Sequence, residues 1–283
     1  MLLNDFKQKT SKKRKLKILE ELKMKKLIAV ILALVFVLSL SACGAEEAAS
    51  DLEYVTNNGK LVVGITDFAP MDYQDENGEW IGFDADMAKE FAEYLGVEVE
   101  FIVIDWDNKI FELENKSIDV VWNGMTLTDK VKEAMGTSDP YCLNAQVVVV
   151  KADVADQYQD EASLAELAFA VEAGSAGKEI VEGLGLNFTE VAYQSDALME
   201  VAAGTSDACV IDLLMAGAMI GEGTGYPDLA YTVSLTSEEY VVGFRKGSDL
   251  VDKFNEFWAA SCAEGTVLET AKLYGVQESV IIK

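Results

Sequence analysis

Two stretches of this chain gather side chains that could hold a small polar molecule. In "NGMTLTDKVKEAM", Asn123 to Met135, an asparagine, a glycine, a methionine and two threonines (Thr126 and Thr128) stand where the apolar run "SIDVVW" gives way to a helix. In "EAGSAG", Glu172 to Gly177, Ser175 and Ala176 stand where a second apolar run meets a glycine-opened helix. A helix start offers free N–H groups and the positive end of a dipole, so both places suit a carboxylate or another anion. Histidine-dependent chemistry is excluded, because the chain has no histidine. There is no G-x-S-x-G and no metal-ligand cluster beyond scattered carboxylates, and no metal or cofactor is expected. Carboxylates alone could do acid–base work, and Glu172 with Asp212 is the one pair that suggests it. Thr128 and Asp212 also have a plainer reading as helix N-caps.

The elements that must position these residues alternate. Strands are expected at 60–66, 97–104, 118–124 and 145–151, with helices at 83–96, 108–117 and 129–135 between them. A second series follows, with strands at 168–174, 188–194 and 207–212 and helices at 175–185 and 196–204. A late strand at 238–247 and two helices, 249–265 and 267–275, close the chain. This spacing predicts an α/β fold with mostly parallel sheets flanked by helices, in two lobes joined by two hinge strands near 145–151 and 240–244. In such sheets ligands sit beyond the carboxyl ends of strands. Three loops have that position: "TDFAPMDY", "NGMTLTD" and "EAGSAG".

The 283 residues carry a formal net charge of -26, and the basic residues crowd the amino terminus. From Gly44 onward there are 13 basic and 46 acidic residues. Such a field repels phosphates and anionic lipid, so no nucleic-acid partner is expected. "MKK" (24–26) followed by "LIAVILALVFVLSLSA" (27–42) reads as a signal-peptide n-region and core, too short for a spanning helix. The site "LSAC" resembles a bacterial lipobox, which implies cleavage before Cys43 and lipid on its sulfur. Residues 1–23 precede a second start at Met24; either they lengthen the n-region or they are not translated. Residues 44–58 read as a small, acidic tether. Of the other cysteines, Cys142, Cys209 and Cys262 cannot all pair, and buried, inert thiols are expected for at least two of them.

With these elements in place, "GKLVVGITDFAPMDYQDENGEWIGFDADMAKEFAEYLG" and "IDVVWNGMTLTDKVKEAMGTSDPY" resemble the family 3 solute-binding proteins, the polar amino acid receptors of bacterial ABC importers. The resemblance runs from about Gly59 to Tyr274. It implies a type II periplasmic-binding-protein fold, with lobe 1 from 59–147 plus 240–283 and lobe 2 from 148–239. It implies that Phe68 and Trp106 wall the ligand, that Asn123, Gly124, Met125, Thr126 and Thr128 form a loop offering backbone and hydroxyl groups, and that Ser175 and Ala176 are helix-mouth donors. Asp212 matches the carboxylate that takes the ligand's ammonium. The implied protein is a monomeric lipoprotein on the extracellular face of the cell membrane, delivering a small ligand to an ABC permease.

The pattern departs from the family at two places. Val131 stands where the family usually has an arginine that grips the α-carboxylate with its fork. Glu172 stands where some members have a basic or neutral residue. A site that has lost a cation and gained an anion should prefer cationic or neutral amino acids, or a small amine, over acidic ones. Two rival readings are a dehydratase-like enzyme on the same fold and a ligand-sensing ectodomain, which would need a downstream membrane segment and signalling domain.

Overall fold

A computed structural model describes residues 50–282. The expected signal segment, Cys43 and residues 44–49 of the expected tether lie outside them. The rest of that tether is not one. Asp51–Asn58 forms a helix, α1, capped by Ser50, whose Oγ accepts the Glu53 amide at 2.9 Å. Val55 is buried beneath it. Arg245 Nε donates to Asp51 at 2.9 Å, and the Asp249 carboxylate accepts from Ser50 Oγ and the Leu52 amide. These partners stand almost 200 residues away in sequence, so local composition could not reveal them.

The first lobe is built on β1 (Lys60–Ile65), β4 (Glu98–Val103), β5 (Val120–Thr126), β6 (Gly136–Thr137), β7 (Cys142–Asn144) and β13 (Glu238–Phe244). Its order is β4-β1-β5-β13-β6, with β7 also on β13. The second is built on β8 (Gln146–Lys151), β9 (Ala168–Glu172), β10 (Asn187–Val191), β11 (Ala208–Asp212) and β12 (Leu229–Ser234), in the order β10-β9-β11-β8-β12. A hairpin, β2 (Tyr73–Gln74) and β3 (Trp80–Ile81), precedes helix α2 (Phe83–Leu95). The remaining described helices are α3 (Lys109–Glu114), α4 (Asp129–Ala134), α5 (Ala176–Gly183), α6 (Gln194–Ala203), α7 (Leu213–Met219), α8 (Leu250–Glu264) and α9 (Thr266–Leu273). None of them is long and apolar enough to cross a membrane.

The sheets are mixed rather than mostly parallel. β1, β4 and β5 run parallel, as do β9, β10 and β11, whereas β13 and β8 run antiparallel to β5 and β11. The direction follows from the crossings. The chain passes between lobes at Ala145 and over residues 235–237. A strand entered straight from a crossing starts at the cleft, while a strand of a βα unit ends there.

Packing explains why the carboxyl-terminal helices belong to the first lobe. On α2, Met87, Phe91, Ala88 and Ala92 share one buried face between Gly82 and Gly96. Phe91 meets Phe254 of α8 edge-on at 5.5 Å, and Phe254 meets Trp122 of β5 at 4.9 Å between ring centroids. Each such fully buried ring contributes about 1.5–3 kcal/mol. In the second lobe Val147 to Val150 are all buried, as a strand covered on both faces requires. β12 carries a weaker signal, because only Leu229 and Val233 of its six residues are buried.

Candidate functional site

Between the lobes lies a cleft of about 600 Å³, counting the part open to solvent. The eleven residues expected around a ligand (Phe68, Trp106, Asn123, Gly124, Met125, Thr126, Thr128, Glu172, Ser175, Ala176 and Asp212) all line it. Lys109, Lys130, Gln146 and Gln194 line it as well, and the sequence had not singled them out.

The lobe 1 wall is largely committed to itself. β5 does not stop at Gly124; it continues to Thr126 because β13 pairs alongside, Tyr240 opposite Thr126 and Val241 opposite Met125. Asn123 is therefore a buried strand residue whose amide donates to Asp72 at 2.7 Å and to the Thr66 carbonyl at 3.1 Å. The Gly124 amide donates to Asp84 Oδ2 at 2.7 Å, where the Tyr141 hydroxyl also donates at 2.7 Å. Gly124 has φ 55°, and a Cβ there would stand 2.3 Å from the Phe68 ring, so only glycine lets that ring cover the strand. Thr126 Oγ1 donates to Glu238 at 2.9 Å. Thr128 is the N-cap of α4, its Oγ1 accepting the Val131 amide at 3.2 Å. Val131 packs with Trp106, Met125 and Met135 in one apolar cluster and also borders the cleft. The first turn of α4 thus presents no cation from position 131.

The lobe 2 wall is acidic and faces the cleft. Asp212 ends β11 and Glu172 ends β9, both almost wholly buried. Asp212 Oδ1 accepts from Gln146 at 2.7 Å, Tyr240 at 2.9 Å and Asn144, and Oδ2 accepts from Gln194. The amides of Asn144 and Gln146 also donate to Glu238, at 2.7 and 2.8 Å, so they bridge two carboxylates across the crossing strands. Burial, with Glu238 nearby, pushes the Asp212 carboxyl up to about 7. Burial and the charge of Asp212 push Glu172 up to about 8. Beside them Ser175 caps α5, accepting the Lys178 amide at 3.0 Å. The amides of Ala176 and Gly177 have no acceptor among the described residues, as the first turn of a helix dictates.

One cation crosses between the walls. Lys109 is 5% exposed; its ammonium donates to the Trp106 carbonyl at 3.0 Å and to Gly174 of the other lobe at 2.9 Å. Burial holds it down at about 8, against the pull of Glu172. Gly174 has φ 70°, and a Cβ there would lie 2.6 Å from both the Cα and the Oδ1 of Asp107, so the lobes meet closely at this point.

Two α/β lobes joined by two crossings, with a polar, partly enclosed cleft between them, define a ligand-binding protein of the two-lobe class. Residues 61–277 match the bacterial extracellular solute-binding proteins, family 3, and the chain belongs to that family. It is similar to the arginine-binding extracellular protein ArtP of Bacillus subtilis (strain 168), 28% identical over 239 residues that cover 82% of this chain and 91% of that protein. Among solved structures it is similar to a histidine-bound substrate-binding protein of an ABC uptake transporter from Streptococcus pneumoniae. That match has a TM-score of 0.73 and 27% identity over 80% of this chain and 96% of the other. It is equally similar in fold to the ancestral amino acid-binding protein AncCDT-1, a precursor of cyclohexadienyl dehydratase, with TM-score 0.73, 29% identity, and 80% and 99% of the two chains covered.

Proposed function

We propose that the protein captures a small amino acid between its lobes and hands it to an ABC permease. The observation that carries this reading is the lobe 2 wall. Glu172 and Asp212 supply negative charge at the ends of two strands, and the open amides of Ala176 and Gly177 begin a helix next to them. A zwitterion has the matching layout, with its ammonium toward the carboxylates and its carboxylate toward the helix start. Lys130, exposed at the edge of the cleft, adds positive charge on the side where position 131 has none. Relatives named for binding arginine and histidine point the same way.

The kinship to a dehydratase precursor raises catalysis by Glu172 and Asp212. We prefer binding, because Asp212 is already held in place by four donors, an arrangement that orients an acceptor for an ammonium and aims no proton at a substrate. The signal segment and "LSAC" support lipid on Cys43 and a protein tethered at the outer face of the membrane. A fatty-acid probe should label the wild type and not Cys43→Ala.

The test of the binding reading is calorimetry against a panel of amino acids and small amines. At least one uncharged or cationic member should bind with a Kd on the order of 1 µM, about 8 kcal/mol. Glutamate and aspartate should bind at least about tenfold more weakly, because their extra charge meets Glu172 and Asp212. A panel without any binder, or with glutamate the tightest, contradicts it.

A further inference from the structure

We propose that Lys109 determines the specificity of the cleft: its ammonium occupies the subsite that would otherwise receive a ligand's side-chain cation, so the site accepts amino acids with uncharged side chains and rejects arginine and lysine. The inference rests on the amino-acid reading above and deepens it.

A buried cationic side chain needs an aromatic face, carbonyl oxygens and a carboxylate around it. The cleft contains all three, and Lys109 already holds the ring and the carbonyls and stands in the field of the carboxylate. Its Nζ stands 4.6 Å from the centroid of the Trp106 ring. It donates to one carbonyl in each lobe, Trp106 and Gly174. Glu172 supplies the largest favourable charge acting on it. The close meeting of Asp107 with Gly174 and the 5% exposure of the lysine leave it enclosed rather than free to swing out.

A second cation brought by a ligand would compete for Glu172 and stand beside a like charge in a desolvated space. The ligand's α-ammonium has another acceptor, because Asp212, at the end of the neighbouring strand β11, has acceptor capacity left on Oδ2. Of the cationic and neutral amino acids that the sequence admitted, this arrangement favours the neutral ones. Lys109 also bridges the lobes, and a bridge alone would make a different prediction: its loss would weaken every ligand by the same factor.

Calorimetry with matched pairs separates these possibilities. Arginine and citrulline have the same length and differ in side-chain charge, as do lysine and 2-aminoheptanoic acid. In the wild type the cationic member of each pair should be the weaker by at least about tenfold, down to undetectable. In Lys109→Met the cationic member should gain at least about tenfold relative to its neutral partner, including binding that appears where none was measurable. An arginine or lysine that binds the wild type as tightly as its neutral partner overturns the inference. So does a Lys109→Met protein in which both members of a pair fall by one common factor. If Lys109→Met does not fold, the wild-type pairs decide alone. Absence of binding by every amino acid would instead remove the amino-acid reading itself, a result distinct from a preference for the cationic member.

Discussion

Each lobe buries a pair of carboxyl groups near the cleft, and the two pairs face opposite ways. In lobe 1, Asp72 and Asp84 sit behind the wall with no exposed surface. They accept from Asn123, the Gly124 amide and Tyr141, and so hold the end of β5 in shape. In lobe 2, Glu172 and Asp212 are part of the wall. Burial raises all four. A buried acid is therefore no guide to a ligand contact by itself; what distinguishes the pairs is whether their remaining acceptor capacity turns inward or toward the cleft.

The largest expected effect comes from lobe 2. Asp212→Ala strips the partner from Asn144, Gln146, Gln194 and Tyr240 and removes the charge facing an ammonium. Affinity for the best amino acid should fall at least about 100-fold in calorimetry, in line with the 2–5 kcal/mol cost of breaking a buried charged pair. A drop below about fivefold would place Asp212 with the structural pair.

Asp84→Ala should act on stability instead. It leaves the Gly124 amide and the Tyr141 hydroxyl without their acceptor, a cost of roughly 2 kcal/mol in urea unfolding after the relief of burying a carboxyl. Affinity should change by less than about tenfold. The reverse pattern would show that β5 ligates directly.

The raised acids also set a pH dependence. Folding lifts Asp84 and Asp212 to about 7 and Glu172 to about 8 from ordinary carboxylate values near 4. The folded state therefore binds more protons than the unfolded chain between about pH 4 and pH 8, and stability falls as pH rises through that window. Glu238 and Lys109, which face Asp212 and Glu172, are the other charges in this network. Calorimetric scans should give a Tm roughly 5 °C or more higher at pH 5 than at pH 8 without ligand. A saturating ligand ammonium favours ionised Glu172 and Asp212 and should shrink that difference. A flat or rising Tm would mean these groups are ionised in the fold.

The smallest effect belongs to Thr128→Ala. Loss of the cap on α4 should cost about 1 kcal/mol with affinity changed less than about twofold. A tenfold loss of affinity at unchanged stability would instead mean that the hydroxyl reaches the ligand.

Much of this arrangement was legible because it is local. Periodicity found the βα units, and the motif from Asn123 to Thr128 led to the cleft. What stayed hidden was non-local or contrary to habit. The α1 helix depends on Arg245 and Asp249, far along the chain. The extension of β5 to Thr126 depends on pairing with β13. Lys109 sits in a short, charged helix, and a lysine there is ordinarily solvated; nothing in "NKIFELENKS" marks it as turned inward. Missing it left Glu172 without a neighbouring cation in the sequence reading, and that is what admitted a ligand with a cationic far end.

The central claim is that the lobe 2 carboxylates hold a ligand's α-ammonium. The most direct measurement is calorimetry of the tightest-binding amino acid against its α-hydroxy analogue, identical except that a hydroxyl replaces the ammonium. The account predicts that the hydroxy acid binds at least about 100-fold more weakly, since Glu172 and Asp212 lose the charge they face. Binding of the two within about threefold of each other would contradict it.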